Sequence, residues 1–116
     1  MPALDSTAID ALRALNPGDD SFLHDLIQIY LEDAPKRLAE IEQAAATKDA
    51  RKLTLAAHSL KGSSSNFGAN RLRALSEELE QLGRQAALDG VAAKVPPLRE
   101  EYARVQAELT ALLPPG

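Results

Sequence analysis

Apolar positions recur along this chain at spacings of three and four, and no stretch alternates with period two. The pattern predicts helices and no strands. A short first helix has Asp5 or Ser6 as its cap and Ile9, Leu12 and Leu15 as its stripe, and Asn16-Pro17-Gly18 ends it. A second helix runs from about Asp20 to Thr47, with Leu23, Ile27, Tyr30, Ala34, Leu38, Ile41 and Ala45 on one face. Phe22, Leu26 and Ile29 give its first half a second apolar face, which must pack against another neighbour or stand exposed. Pro35 lies inside this pattern and is read as a kink, because the stripe continues in phase beyond it. A third helix starts at the cap Asp49 and closes at Gly68, with Leu53, Ala56, Ala57, Leu60, Ser64 and Phe67 inward. A fourth begins near Asn70 and repeats Leu72, Leu75, Leu79, Leu82 and Ala86; Gly83 weakens it and Asp89-Gly90 ends it. A fifth carries Val91, Val95, Leu98, Tyr102, Val105, Leu109 and Leu112, and Pro96-Pro97 place its firm start near Pro97.

Four amphipathic helices joined by short loops predict an all-α fold, an antiparallel up-down four-helix bundle with the short extra N-terminal helix across one end. The 116 residues suffice for one hydrophobic core, so 1–116 is read as a single domain.

Composition then removes several functions. Aromatic residues are 3% of the chain, too few for a base-stacking platform. The formal net charge is −4, which offers no basic footprint to nucleic acid or to an anionic membrane surface. Cysteine is absent, and with it disulfides, thiolate metal sites and cysteine nucleophiles. No apolar run approaches the ~18 residues of a membrane span. The start Met1-Pro2-Ala3-Leu4-Asp5 lacks the basic and apolar parts of a signal peptide, so a cytoplasmic location is expected. There is no phosphate-binding glycine-rich loop, no dinucleotide fingerprint and no nucleophile elbow. Neither His58 nor His24 sits in the Glu-x-x-His or His-Glu-x-x-His spacing of a helical metal site. His24, next to the core position Leu23, is read as structural.

The third helix carries the informative segment, His58-Ser59-Leu60-Lys61-Gly62-Ser63-Ser64-Ser65. On a helical wheel with Leu53 at zero, His58 falls at ~140°, Ser65 at ~120°, Gly62 at ~180° and Lys61 at ~80°. The core stripe lies within roughly 60° of zero, so these four residues share an outward patch. Leu55, at ~200° on the same wheel, is an outward apolar residue suited to a docking surface. An exposed imidazole is mostly neutral and nucleophilic at pH 7, which suits a covalent carrier. Lys61 brings a positive charge for an anionic group, and the Ser65 hydroxyl could hydrogen-bond it. An interior glycine costs about 1 kcal/mol against alanine, and access for a bulky group beside His58 is one reason to tolerate Gly62. The residues alone leave two readings open: a reactive site, or a solvated helical face with a chance histidine.

The run from His58 to Ser64, followed by Phe67-Gly68-Ala69, resembles the signature of histidine-containing phosphotransfer (HPt) domains, which relay phosphoryl groups in two-component signalling. The similarity extends to the order of helices and to Tyr30-Leu31-Glu32-Asp33-Ala34-Pro35 on the second helix; the double proline at 96–97 is a departure. The resemblance implies that His58 is the phosphorylated residue, that Lys61 helps balance the phosphoryl charge, and that Gly62 leaves room for a partner's active site. It implies response-regulator receiver domains and a hybrid histidine kinase as partners. No cofactor is expected on this chain, Mg²⁺ being expected on the partner receiver only. The expected role is that of a stoichiometric phosphocarrier and a monomer, accepting phosphoryl from one receiver and passing it to another. In the dimerisation domain of a sensor kinase an acidic residue follows the histidine, whereas Ser59 stands there in this chain. Two other readings are a non-catalytic helical adaptor and the excised phosphotransfer domain of a larger hybrid or chemotaxis kinase.

Overall fold

Two aspartates set the starts of helices. Asp5 accepts a hydrogen bond from the Thr7 backbone N–H at 2.9 Å, and Asp49 accepts one from that of Lys52 at 3.0 Å. The computed structural model describes residues 1–115. Its elements are α1 (Ser6–Ala14), α2 (Ser21–Thr47), α3 (Ala50–Ser65), α4 (Asn70–Arg84), a 3₁₀ turn (Val91–Lys94) and α5 (Val95–Leu112). Among the described residues there is no strand, and no helix is long and apolar enough to cross a membrane.

The long helices form a bundle in which each touches two others: α2 with α3 and α5, and α4 with α3 and α5. The stripe residues Leu23, Ile27, Leu38, Ile41, Leu53, Leu60, Leu72, Leu79, Leu98, Val105 and Leu109 are buried between them. Each contributes roughly 1.5–3 kcal/mol of hydrophobic stabilisation, which fixes the helix faces more firmly than intrinsic propensity does. One buried polar pair links α2 to α3, the Tyr30 hydroxyl lying 2.8 Å from the Ser64 hydroxyl. Burial pushes the Tyr30 phenol well above its ordinary range.

The closest pair is α3 and α4. Their approach depends on small residues at 76 and 83: Ser76 and Gly83 are buried on α4, and a Cβ at Gly83 would run into Thr54 Oγ1 and lie 2.9 Å from its backbone nitrogen. Gly83 therefore does more than weaken α4; it lets α3 and α4 come together. The turn between them ends at Gly68, with φ of 66°. A Cβ there would stand 2.6 Å from Asp5 Cβ and 2.8 Å from Ala8 Cβ, and the Asp5 N–H donates to the Gly68 carbonyl at 3.0 Å. The start of α1 is thus locked onto the α3–α4 turn. Glu108 of α5 accepts the backbone N–H groups of Ala3 and Leu4 on the other side.

Several boundaries differ from the apolar pattern. Leu15 caps α1 and is exposed, because the helix has already left the bundle there. The helix α2 runs through Pro35 to Thr47, and Ala44, not Ala45, is the fully buried residue near its end. The helix α3 stops at Ser65, short of Gly68, yet Phe67 still packs inward, with its ring 5.2 Å from that of Tyr30. The helix α4 stops at Arg84, and Ala86 is exposed with φ of 53°. There Ala86 and Ala87 donate to the carbonyls of Gly83 and Leu82 and close the helix. Pro96 and Pro97 do not delay α5. They occupy its first turn, where a missing N–H deprives the helix of nothing.

Candidate functional site

His58 projects from the middle of α3 with 62% of its side chain exposed. Its neighbours Ala57 and Leu60 are buried, so the helix is anchored on one side while the imidazole stands on the other. A Cβ built at Gly62 meets nothing within 4 Å, so no packing constraint demands glycine there. Its effect is to leave the surface one turn beyond His58 bare. Leu55 is 60% exposed on the same helix, and Phe22 and Ile29 of α2 are exposed as well. The second apolar face expected on α2 is therefore a surface patch, with Leu26 partly buried against the core. His24 is partly buried.

The structure adds a residue that the motif does not contain. Glu80 of α4 is buried, and its carboxylate lies beneath the imidazole, with Oε2 3.0 Å from His58 Nδ1. Lys61 Nζ is 2.7 Å from Glu80 Oε1 and 3.2 Å from Glu77 Oε2. Arg84, one turn along α4, donates to Glu80 Oε2 through Nη2 at 2.6 Å and Nε at 3.2 Å. A buried carboxylate is tolerable only when paired, and this one has three partners. Burial alone would raise its pKa, but the donors Lys61, Arg84 and His58 outweigh that and bring it down to about 2. Glu80 in turn raises the Lys61 pKa, with Glu77 adding to the effect, and Lys61 lowers that of Glu77.

These contacts place two of the expected site residues. Lys61 is not a free cation awaiting a ligand; its charge is shared between Glu80 and Glu77. Ser65 is exposed, but its hydroxyl donates to the Lys61 carbonyl at 2.8 Å, so that donor is occupied by the helix itself. His58, Lys61 and Glu80 are brought together, Gly62 leaves open surface beside them, and no contact draws Ser65 into the cluster. Glu80 was detectable in principle. Ser76, Glu80 and Gly83 recur at spacings of four and three, like the leucines of α4, which marks a second face turned to a neighbouring helix.

The chemistry follows from proton inventory. An ionised carboxylate only accepts hydrogen bonds, so the Nδ1 that faces Glu80 carries the proton. In the neutral ring the lone pair then belongs to Nε2. The site is an exposed imidazole with a defined tautomer, above a buried anion clamped by two cations.

The family model described as the Hpt domain matches residues 25–111, well over half of the chain and the whole of this cluster. The chain belongs to the Hpt domain family. Among relatives of this Hpt domain, multistep phosphorelay regulator 1 of Schizosaccharomyces pombe is 30% identical over 89 residues, which cover 76% of this chain and 30% of that protein. The phosphorelay intermediate protein rdeA of Dictyostelium discoideum is 27% identical over 96 residues, 83% of this chain and 38% of that protein. The chain thus spans about a third of the length of these two relatives. Among solved structures, histidine-containing phosphotransfer protein B from Pseudomonas aeruginosa PAO1 is similar with a TM-score of 0.86 and 30% identity, over 95% of this chain and 93% of that one.

Proposed function

We propose that this Hpt domain is a phosphorelay intermediate, and that His58 takes a phosphoryl group from the aspartyl phosphate of one receiver domain and gives it to another. One observation carries the reading: the imidazole of His58 is exposed beside the bare surface of Gly62, with its Nδ1 held on Glu80. The names of the two phosphorelay relatives and of the similar solved structure agree with it. The pairing order of the helices supports an antiparallel up-down bundle, read as one domain, with α1 across the end where Asp5 meets Gly68.

In the forward step Nε2 attacks phosphorus in line. The Nε2–P bond forms as the bond from phosphorus to the donor carboxylate oxygen breaks, and that carboxylate leaves with the electron pair. Charge spreads over the three equatorial oxygens at the transition state. The donor receiver supplies Mg²⁺ for that charge, so this chain needs no metal of its own. Lys61, with Arg84 behind it, provides the nearest fixed cations of this chain. The reverse step onto a second receiver uses the same groups, and a relay works when its equilibrium constant is not far from one. The exposed residues Phe22, Ile29 and Leu55 supply apolar surface for receiver docking. The protein acts once per phosphoryl group and has no turnover of its own, as a monomer in the cytoplasm, with a hybrid histidine kinase as the source.

The test is a chase. Phosphorylated receiver is mixed with the protein, the labelled protein is isolated, and a second unphosphorylated receiver is added. Label that enters this chain in an acid-labile, alkali-stable form and then leaves for the second receiver supports the relay. Measurable binding to several receivers with no label would support an adaptor.

A further inference from the structure

We propose that the cleft at the α1 end of the bundle is a second binding site, built for a small zwitterion: an α-amino acid with an apolar side chain. The site does not involve His58 and stands independently of the phosphocarrier reading. The N-terminal segment, the start of α4 and α5 enclose a cleft of about 550 Å³. Glu101 of α5 lines it and is only 3% exposed. Its Oε1 accepts from Arg104 Nη1 at 2.8 Å and lies 3.5 Å from Arg71 Nε. Its Oε2 is buried and has no partner among the described residues. A carboxylate oxygen withheld from water is costly to leave unmatched, so this one marks a place for a donor.

The opposite requirement sits beside it. Arg71 uses Nε on Glu101, its side chain is 68% exposed, and its two Nη groups have no partner among the described residues. The helix α4 starts at Asn70 with no side-chain cap, which leaves its positive end to an anion. The cleft thus asks for a cationic donor on Glu101 Oε2 and an anion on Arg71 at once. A simple anion leaves Oε2 unmatched and meets the carboxylates of Glu100 and Glu101; a simple amine leaves Arg71 unmatched. Among the described residues no cluster of His, Asp and Glu suits a metal ion. The spacing selects the zwitterion, because Arg71 and Glu101 adjoin as the ammonium and carboxylate of an α-amino acid do. The apolar part of the wall, Pro2, Leu4 and Pro97, takes the side chain. Glu108 holds the N–H groups of Ala3 and Leu4, while Met1 and Pro2 are exposed and Arg104 ties the Met1 carbonyl to α5. The ammonium reaches Oε2 as that exposed end yields.

The experiment titrates the ¹⁵N-labelled full chain at neutral pH with L-leucine. Separate arms use isocaproate, which is leucine without its ammonium, and isoamylamine, which is leucine without its carboxylate. The backbone amides of Asp5, Gly68, Arg71 and Glu101 report the cleft, and those of Ser59 and Gly62 report the histidine face. The expected result is a saturable shift of the cleft amides with L-leucine, with Ser59 and Gly62 unmoved. The Kd for L-leucine should be lower than that for either half-ligand by about tenfold or more, since each half forgoes one charge-assisted contact. Arg71→Ala should weaken L-leucine by about tenfold, to the level of isoamylamine on wild type, and Glu101→Gln should weaken it to the level of isocaproate. The absence of a saturable shift with L-leucine would overturn the proposal. So would isocaproate or isoamylamine binding as tightly as L-leucine, which would mean a site for one charge only, or Arg71→Ala binding L-leucine as wild type does. If Glu101→Gln fails to fold, Arg71→Ala, whose side chain is mostly exposed, and the two half-ligands still decide it.

Discussion

Lys61 Nζ stands 2.7 Å from Glu80 Oε1, the carboxylate oxygen that His58 leaves free. The lysine and the histidine of the motif are one turn apart on α3, and both close onto the same residue of α4. In the proposed relay Lys61 would thus have two tasks, to offset the anion beneath the imidazole and to face an arriving phosphoryl group. Lys61→Ala should slow phosphoryl acceptance by roughly one to two orders of magnitude, the cost of removing one charge-stabilising group from a transition state, without abolishing it. Single-turnover transfer rates from a phosphorylated receiver measure this; an unchanged rate would remove Lys61 from the mechanism.

Gly62 separates stability from function. Its Cβ position is open space, so Gly62→Ala should raise stability by about 0.5–1 kcal/mol through helix propensity. Gly62→Arg should fold as well as wild type but lose transfer from a receiver, because the guanidinium fills the bare surface. Thermal melts paired with transfer assays test both. A Gly62→Arg protein that accepts phosphoryl from a receiver at the wild-type rate would contradict the access argument.

Gly83 should behave in the opposite way. A methyl group there meets Thr54 Oγ1 and the Thr54 backbone nitrogen, so Gly83→Ala should destabilise the bundle by about 1–3 kcal/mol despite the gain in propensity. Thr54→Ala in the same chain removes only the hydroxyl and should restore part of the loss. Urea midpoints of the single and double variants measure this coupling.

The contribution of Glu80 to stability is pH-dependent with a definite sign. Its carboxyl is held down to about 2 in the folded protein, below its ordinary value of 4.5. A depressed pKa means that the folded state favours the ionised form, so this stabilisation is complete above the ordinary value and fades as pH falls from about 4.5 to about 2. Glu80→Gln should lower the urea midpoint at pH 6 and flatten its decline over that window. Parallel curves for the two proteins would show that Glu80 is not held as its contacts indicate.

Most of the helical frame is legible in the sequence because burial follows the three-four stripes: Leu23, Ile27 and Leu38, or Leu72 and Leu79, are buried where the periodicity places them. Helix ends are less legible. Ala86 has the composition of a helix residue but takes a left-handed φ, and Pro96-Pro97 look like a break but fit a first turn. His58 and the openness at Gly62 follow from one wheel, since both concern a single helix. The contact of Glu80 with His58 does not, because it depends on the register of α4 against α3, and that register is set by the close approach at Gly83 and Thr54. A wheel likewise shows the exposure of Ser65 but not that its hydroxyl turns back onto the Lys61 carbonyl.

The central claim is that His58 carries the phosphoryl group. Phosphoryl transfer from one phosphorylated receiver to wild type and to His58→Gln, run side by side with both proteins shown to be folded, tests it most directly. The account predicts an acid-labile, alkali-stable label on wild type and none on His58→Gln. A His58→Gln protein labelled as well as wild type would contradict it.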